Sequence, residues 1–323
     1  MTQSNRTQSG GLIDRHEPIN FTFNGKQLTG YAGDTVASAL LANGIDIVGR
    51  SFKYGRVRGI FGSGAEEPNA ILQVGSSAST TIPNLRATQT ELYEGLVCSS
   101  VSGWPNIDID FKAGLGKLAG GMMPPGFYYK TFMYPQSLWP TYEKYIRKAA
   151  GLGSTPTAPD VDEYDKMNHH CDVLIVGGGF AGLTAAKKLI GQGLRIILVD
   201  EQHQLGGALL SSNIKINGLT SSDWIDETII ELSKDSKCMI LSRSTAFGYY
   251  DQNFVGVVER RTDHLGENVE GPRQRLHRIR TKKVVLATGV IERPLVYGNN
   301  DLPGNMLAGA VTTYVRQYGV VPG

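Results

Sequence analysis

The stretch 177–182, GGGFAG, constrains this chain more than any other. It reads G-x-G-x-x-G and stands between an apolar run at 171–176 (CDVLIV) and a helical segment at 181–191. A second apolar run, 195–200 (RIILVD), comes next. Short continuous apolar runs mark strands buried on both faces. About thirty residues therefore spell strand–turn–helix–strand, a βαβ unit with a parallel sheet. Each glycine has its own reason. Gly177 permits the tight turn, Gly179 lets the backbone approach a pyrophosphate, and Gly182 lets helix and strand pack closely. Ala181 adds a small residue at the helix start, where free amides and the positive dipole end receive an anion.

Asp200 ends the second strand, at the spacing where a carboxylate accepts from ribose hydroxyls. Glu201, Gln202 and His203 follow, with no neighbouring Arg or Lys for a 2′-phosphate, which disfavours NADP against NAD or FAD. Gly206, Gly207 and Ala208 form another bare-backbone loop, and a strand at 284–287 ends in Thr288-Gly289, small residues at the sheet's carboxyl edge. This combination resembles the two-dinucleotide-binding flavoproteins. It does not decide between FAD and NAD, because both offer an ADP half. A helix at 222–233 and strands at 238–242, 254–260 and 275–280 complete the expected Rossmann-like domain with its β-meander insertion.

The first half of the chain has a different grammar. Residues 19–31 alternate around Asn24-Gly25, a hairpin signal, and Asp34 stands ready to cap a helix at 35–43 that Asn43-Gly44 stops. A Gly-rich loop (GRVRGIFGSGAEEP, 55–68) and strands at 70–74 and 86–92 follow. The order predicts an α+β unit in which a sheet grasps one helix. An aromatic, Gly- and Pro-rich stretch (GGMMPPGFYY at 120–129) leads to a helix at 142–150 and a linker at 151–159. The expected division is a disordered tail at 1–16, a β-grasp domain at 17–100, an irregular extension at 101–165 and an incomplete nucleotide domain at 166–323.

The net charge of +2 and the sparse aromatics around Arg50, Lys53, Arg56 and Arg58 argue against nucleic acid. No signal-peptide core and no run of about 18 apolar residues is present, so the expectation is a cytoplasmic protein away from membranes. Cys98, Cys171 and Cys238 are too scattered for a zinc site or a disulfide framework. His169 and His170 are adjacent and point opposite ways in extended chain, so no metal is expected. Asp108 and Asp110 read as surface residues, Tyr249 and Tyr250 as packing. The catalytic residues remain unknown.

The N-terminal pattern, with 33–36 (GDTV), 39–44 (ALLANG) and 49–59 (GRSFKYGRVRG), resembles the ferredoxin-like domains of amine-oxidising assemblies. Longer blocks are similar to the alpha subunits of heterotetrameric sarcosine oxidases: 243–251 (RSTAFGYYD), 275–280 (RLHRIR), 287–294 (ATGVIERP) and 300–307 (NDLPGNML). The resemblance implies NAD in this chain, contacted by the 177–182 turn with Ala181, by Asp200 and Glu201 at the ribose, by Gln202 and Ala208, and near the adenine by Ala246 and its neighbours. It implies FAD in a beta subunit, FMN at the interface, and gamma and delta partners. Such a complex turns sarcosine into glycine, a one-carbon unit and hydrogen peroxide, this chain alone being inactive. Residues 49–74 hold no cysteine, and Cys98 alone cannot hold a plant-type cluster, so no iron–sulfur cluster is expected. The family's subunits continue much further, so the chain reads as an N-terminal piece. The alternatives are an FAD-binding component of an amine or opine dehydrogenase and a non-catalytic assembly module.

Overall fold

The computed structural model describes residues 3–52, 54–111, 134–267 and 269–322. The aromatic stretch at 120–129 lies outside the described residues. The chain forms two compact units, Met1–Val161 with Glu292–Gly323, and Asp162–Ile291.

In the first unit β1 (Asp14–Phe23) and β2 (Lys26–Ala32) form a hairpin. Its two turn residues, Asn24 and Gly25, have φ of 49° and 78°, which suits a type I′ turn. The helix Val36–Ala42 is buried along its whole length. Its N-cap is Thr35 rather than Asp34, in a reciprocal capping box with Ser38. Asp34 instead turns inward, accepting from Tyr31 N and Ser38 Oγ. After the small hairpin β3 (Gly49–Arg50) and β4 (Val57–Arg58) come β5 (Ile71–Val74), β6 (Ile82–Arg86) and β7 (Leu96–Ser100). The five-stranded sheet runs β2-β1-β7-β5-β6, with β7 parallel to β1 at its centre. The expected strand at 86–92 ends where it was to begin. β7, only LVCSS, gives too little alternation to be anticipated.

The 55–68 loop closes on its own carboxylates. Glu67, 1% exposed, accepts from the backbone N–H of Phe61, Gly62, Asn69 and Ala70 at 2.7, 2.6, 2.7 and 3.0 Å. Glu66 accepts from Ser63 N and Gly64 N. The basic run beside it is paired as well, Arg56 and Arg58 both reaching Asp301 at 2.7 Å.

Two segments depart from the expected division. The helix Ala308–Gln317, assigned from sequence to the nucleotide domain, contributes Ala310 and Tyr314 to the first unit's core, beside Leu307, Tyr318 and Val320. Tyr314 Oη donates to Gly62 O at 2.9 Å. The supposed disordered tail is tied down. Arg6 and Asp34 form an ion pair at 2.6 Å with side chains only 4% and 0% exposed. Arg6 also donates to Tyr318 O, and Thr7 N donates to Gly319 O. Polar residues that pair with a segment three hundred positions away leave no local pattern to read.

The second unit begins with β8 (Glu163–Val176), the helix Phe180–Leu189 and β9 (Ile196–Val199). The minor pair β10 (Lys215–Ile216) and β11 (Leu219–Thr220), the helix Ser221–Lys234 and β12 (Cys238–Leu241) follow. Then come β13 (Ser244–Tyr250), β14 (Phe254–Arg260) and β15 (Pro272–Leu286). The six strands order as β12-β9-β8-β15-β14-β13. The first four are parallel, and β14 and β13 are antiparallel additions. β15 is one strand where two were expected, because β8 runs beside it from Pro272↔Glu163 to Leu286↔Val176. Leu183, Ile175, Ile196 and Leu198 bury one face with the helices, and Leu174, Ile197, Val255 and Val257 the other. Each fully buried Leu or Ile contributes about 1.5–3 kcal/mol. Among the described residues no helix is long and apolar enough to cross a membrane.

Candidate dinucleotide site

The glycines of 177–182 are held for distinct reasons. Gly177 has φ 107°, its N–H donates to Val199 O at 2.8 Å, and an added Cβ would sit 2.6 Å from the Ala287 carbonyl carbon. At Gly182 a Cβ would penetrate the Gly177 carbonyl oxygen and stand 2.9 Å from its carbon. Gly178 lies against Leu205 and the Asp200 side chain. Gly179 differs: its Cβ would meet nothing nearer than Gly207 Cα at 3.9 Å and Gly206 O at 4.0 Å. Within the 177–182 turn it is the glycine whose Cβ would make only ordinary van der Waals contact, and that contact is with the bare backbone of the facing loop.

Gly206 and Gly207 are opposite, with φ of 131° and 53°, and Gly206 N donates to Gly178 O at 2.9 Å. The first bond within the helix runs from Leu183 N to Gly179 O. The amides of Phe180, Ala181 and Gly182 thus precede any intrahelical acceptor and carry the positive helix end. Two facing glycine loops and a helix start make a cradle that fits a pyrophosphate.

Asp200 follows β9 and closes the cradle. Its carboxylate accepts from Gly178 N at 2.5 Å and Gln202 N at 2.8 Å. Burial pushes its pKa up, while those two N–H groups pull it down. Behind it, three successive carbonyls are held by the meander. Asp200 O accepts from Ser244 N at 2.7 Å, Glu201 O from Arg260 Nη2 at 2.7 Å, and Gln202 O from Arg243 N at 2.9 Å. No Arg or Lys directly follows Asp200 in sequence, yet the fold brings the Arg260 guanidinium to the Glu201 carbonyl. Sequence proximity missed Arg243, Ser244 and Arg260. Two of them lie in the RSTAFGYYD block, which carries no motif of its own.

The structure gathers Gly177, Gly179, Ala181, Gly182, Asp200, Glu201, Gln202, Gly207 and Ala208 at the carboxyl ends of β8 and β9. Thr288 and Gly289 are exposed just beyond β15, where Ala287 N donates to Val176 O. Ala246 is apart from these on β13, half-buried against the apolar cluster of Val255 and Val257.

Elsewhere in this unit His169 Nε2 and His277 Nδ1 lie 2.8 Å apart, and His277 Nε2 is 3.0 Å from Glu259 Oε2. Burial, then His277, lowers the His169 pKa. The hydrogen bond from His277 lowers that of Glu259. Among the described residues no group of three His, Cys, Asp or Glu has metal-binding spacing.

A family model described as a pyridine nucleotide-disulphide oxidoreductase matches residues 171–320, and one described as a 2Fe-2S iron-sulfur cluster binding domain matches residues 16–103. The two matches agree with a mixed α/β architecture in which a ferredoxin-like unit is joined to a dinucleotide-binding one. More particularly, the chain is similar to sarcosine oxidase subunit alpha of Rhizobium meliloti strain 1021, 49% identical over 99% of this chain and 32% of that protein. It is 37% identical to the subunit of the same name from Corynebacterium sp. strain U-96, over 98% of this chain and 28% of that protein. The chain spans about a third of the length of these relatives. The crystal structure of L-proline dehydrogenase from P. horikoshii shares the fold, with a TM-score of 0.61 at 23% identity over 99% of this chain and 50% of that one.

The 2Fe-2S match overturns the expectation that this chain carries no iron–sulfur cluster. Cys98 is the single cysteine within the match. It is buried in the β1–β7 region, donates to Thr22 O, and has its thiol pushed up to about 12 by burial. A four-thiolate set of the plant type is not assembled among the described residues.

Proposed function

We propose that the second unit holds the ADP half of NAD, and that the chain is the nucleotide-binding part of a sarcosine-oxidising complex. The observation that carries this is the bare backbone of Gly179 set against Gly206 and Gly207, beside amides without helical acceptors. In this reading the pyrophosphate takes the amides around Gly177, Gly179, Ala181 and Gly182, with Gly207 and Ala208 opposite. Asp200, Glu201 and Gln202 read the ribose, Ala246 and its neighbours lie toward the adenine, and Thr288 and Gly289 edge the nicotinamide side. The similarity to sarcosine oxidase alpha subunits over 99% and 98% of this chain supports the assignment to that complex. Beta, gamma and delta subunits then supply amine oxidation, so that sarcosine yields glycine, a one-carbon unit and hydrogen peroxide. This chain alone does not turn over.

The test is to purify the chain, release its bound nucleotide with acid and identify it by chromatography, then titrate the stripped protein with NAD and FAD. Colourless protein yielding NAD is expected. A yellow chain yielding FAD would replace the NAD reading with a flavin-carrying component, and sarcosine-dependent peroxide from the isolated chain would overturn the supporting role.

A further inference from the structure

We infer that Arg260 positions the ribose end of the site and governs how strongly the ribose hydroxyls are read, an inference that rests on the dinucleotide reading above. Of the three carbonyls that follow β9, the outer two are held by the backbone amides of Ser244 and Arg243. The middle one, Glu201 O, is held by a side chain, the Arg260 guanidinium at 2.7 Å. Arg260 is well placed for this, since its own N–H donates to Arg243 O at 2.9 Å and so shares the anchorage of the hairpin it reaches from. Its neighbour Arg261 turns away to Glu259.

A guanidinium–carbonyl bond is charge-assisted, short and directional. It fixes the plane of the peptide between Glu201 and Gln202. The Gln202 N–H of that same peptide donates to Asp200 Oδ1 at 2.8 Å. Arg260 therefore sets the orientation of the carboxylate that meets the ribose, without touching the ligand. Arg260 is a positioning residue, and its contribution is preorganisation.

The experiment is a double-mutant cycle on the full chain, with calorimetric titration of NAD and of the NAD analogue lacking the adenosine 2′-hydroxyl. Arg260→Met is expected to weaken NAD binding by about tenfold or more, the loss of one charge-assisted hydrogen bond. The penalty for omitting the 2′-hydroxyl, present in the wild type, is expected to shrink toward none in the variant. Arg260→Lys keeps the charge without the planar fork and is expected to fall between the two. It carries the same test if Arg260→Met fails to fold, as judged by circular dichroism. Unchanged NAD affinity, or an equal loss for both ligands, overturns the role of Arg260 and leaves the dinucleotide site standing. A folded wild-type chain that binds neither NAD nor FAD overturns both.

Discussion

Replacing Gly182 with alanine sets two effects of opposite sign against each other. Gly182 lies in the first turn of the helix Phe180–Leu189, where helix propensity alone predicts that alanine stabilises by about 0.8–1 kcal/mol. The new Cβ, however, would stand 2.9 Å from the Gly177 carbonyl carbon and closer still to its oxygen. The oxygen sets the limit, and for it to reach an ordinary contact helix and turn must part by more than about 1 Å. The obstacle is backbone, and it cannot rotate aside. Overpacking of this kind costs about 1–3 kcal/mol, and backbone as the obstacle puts this site at the upper end. The expected net effect is a loss of about 1–2 kcal/mol, read from urea unfolding. The same displacement carries the amides of Phe180 and Ala181 out of register, so NAD affinity is expected to fall by tenfold or more even in fully folded protein. Gly298→Ala, where a Cβ meets nothing within 4 Å, serves as the control and should stay within about 0.5 kcal/mol of wild type. A Gly182→Ala protein as stable as wild type, with unaltered NAD binding, would refute the close-packing argument and the cradle with it.

Two further predictions concern groups away from the cradle. Glu67→Gln puts an amide NH2 where a carboxylate oxygen takes two backbone N–H donors, and should cost the first unit about 3 kcal/mol in chemical denaturation. Because the His169 pKa is lowered on folding, the unfolded chain binds the extra proton first, so stability should fall as pH drops below the free imidazole value of about 6.5 and level off past the folded value. The lowered carboxyl of Glu259 adds a second loss as pH falls through the carboxylate range, and His169→Gln should flatten only the first of the two in denaturation curves between about pH 8 and 3.

What was legible in the sequence was local. The 177–182 turn, Asp200 and the Gly206-Gly207 loop declare themselves because one short motif, read against two apolar runs, has a single physical explanation. The Asn24-Gly25 hairpin did so for the same reason. What was illegible depended on distant partners. Arg260 sits at the end of an unremarkable strand, and only the meander's return to β9 gives it a role. Residues 307–320 read as a continuation of the nucleotide domain because an amphipathic pattern says that a face is buried, never against what. Strand β15 was split at its run of Thr281, Lys282 and Lys283, which β8 holds in register all the same. The ferredoxin-like character of the first unit was legible, but the absence of loop cysteines was too narrow a basis for expecting no iron–sulfur cluster.

The clasp between Arg6, Asp34 and the Tyr318 carbonyl has a consequence for biosynthesis. The first unit is discontinuous: its core takes Leu307, Tyr314 and Val320 from residues translated after the entire second unit. A ribosome releases the chain from its N-terminus, and domains fold as they become whole. The second unit, encoded in one uninterrupted stretch from Asp162 to Ile291, is wholly translated while the first unit still lacks residues of its core. The first unit is therefore the later of the two to finish, and until then the Arg6–Asp34 pair waits without the Tyr318 carbonyl that Arg6 also holds.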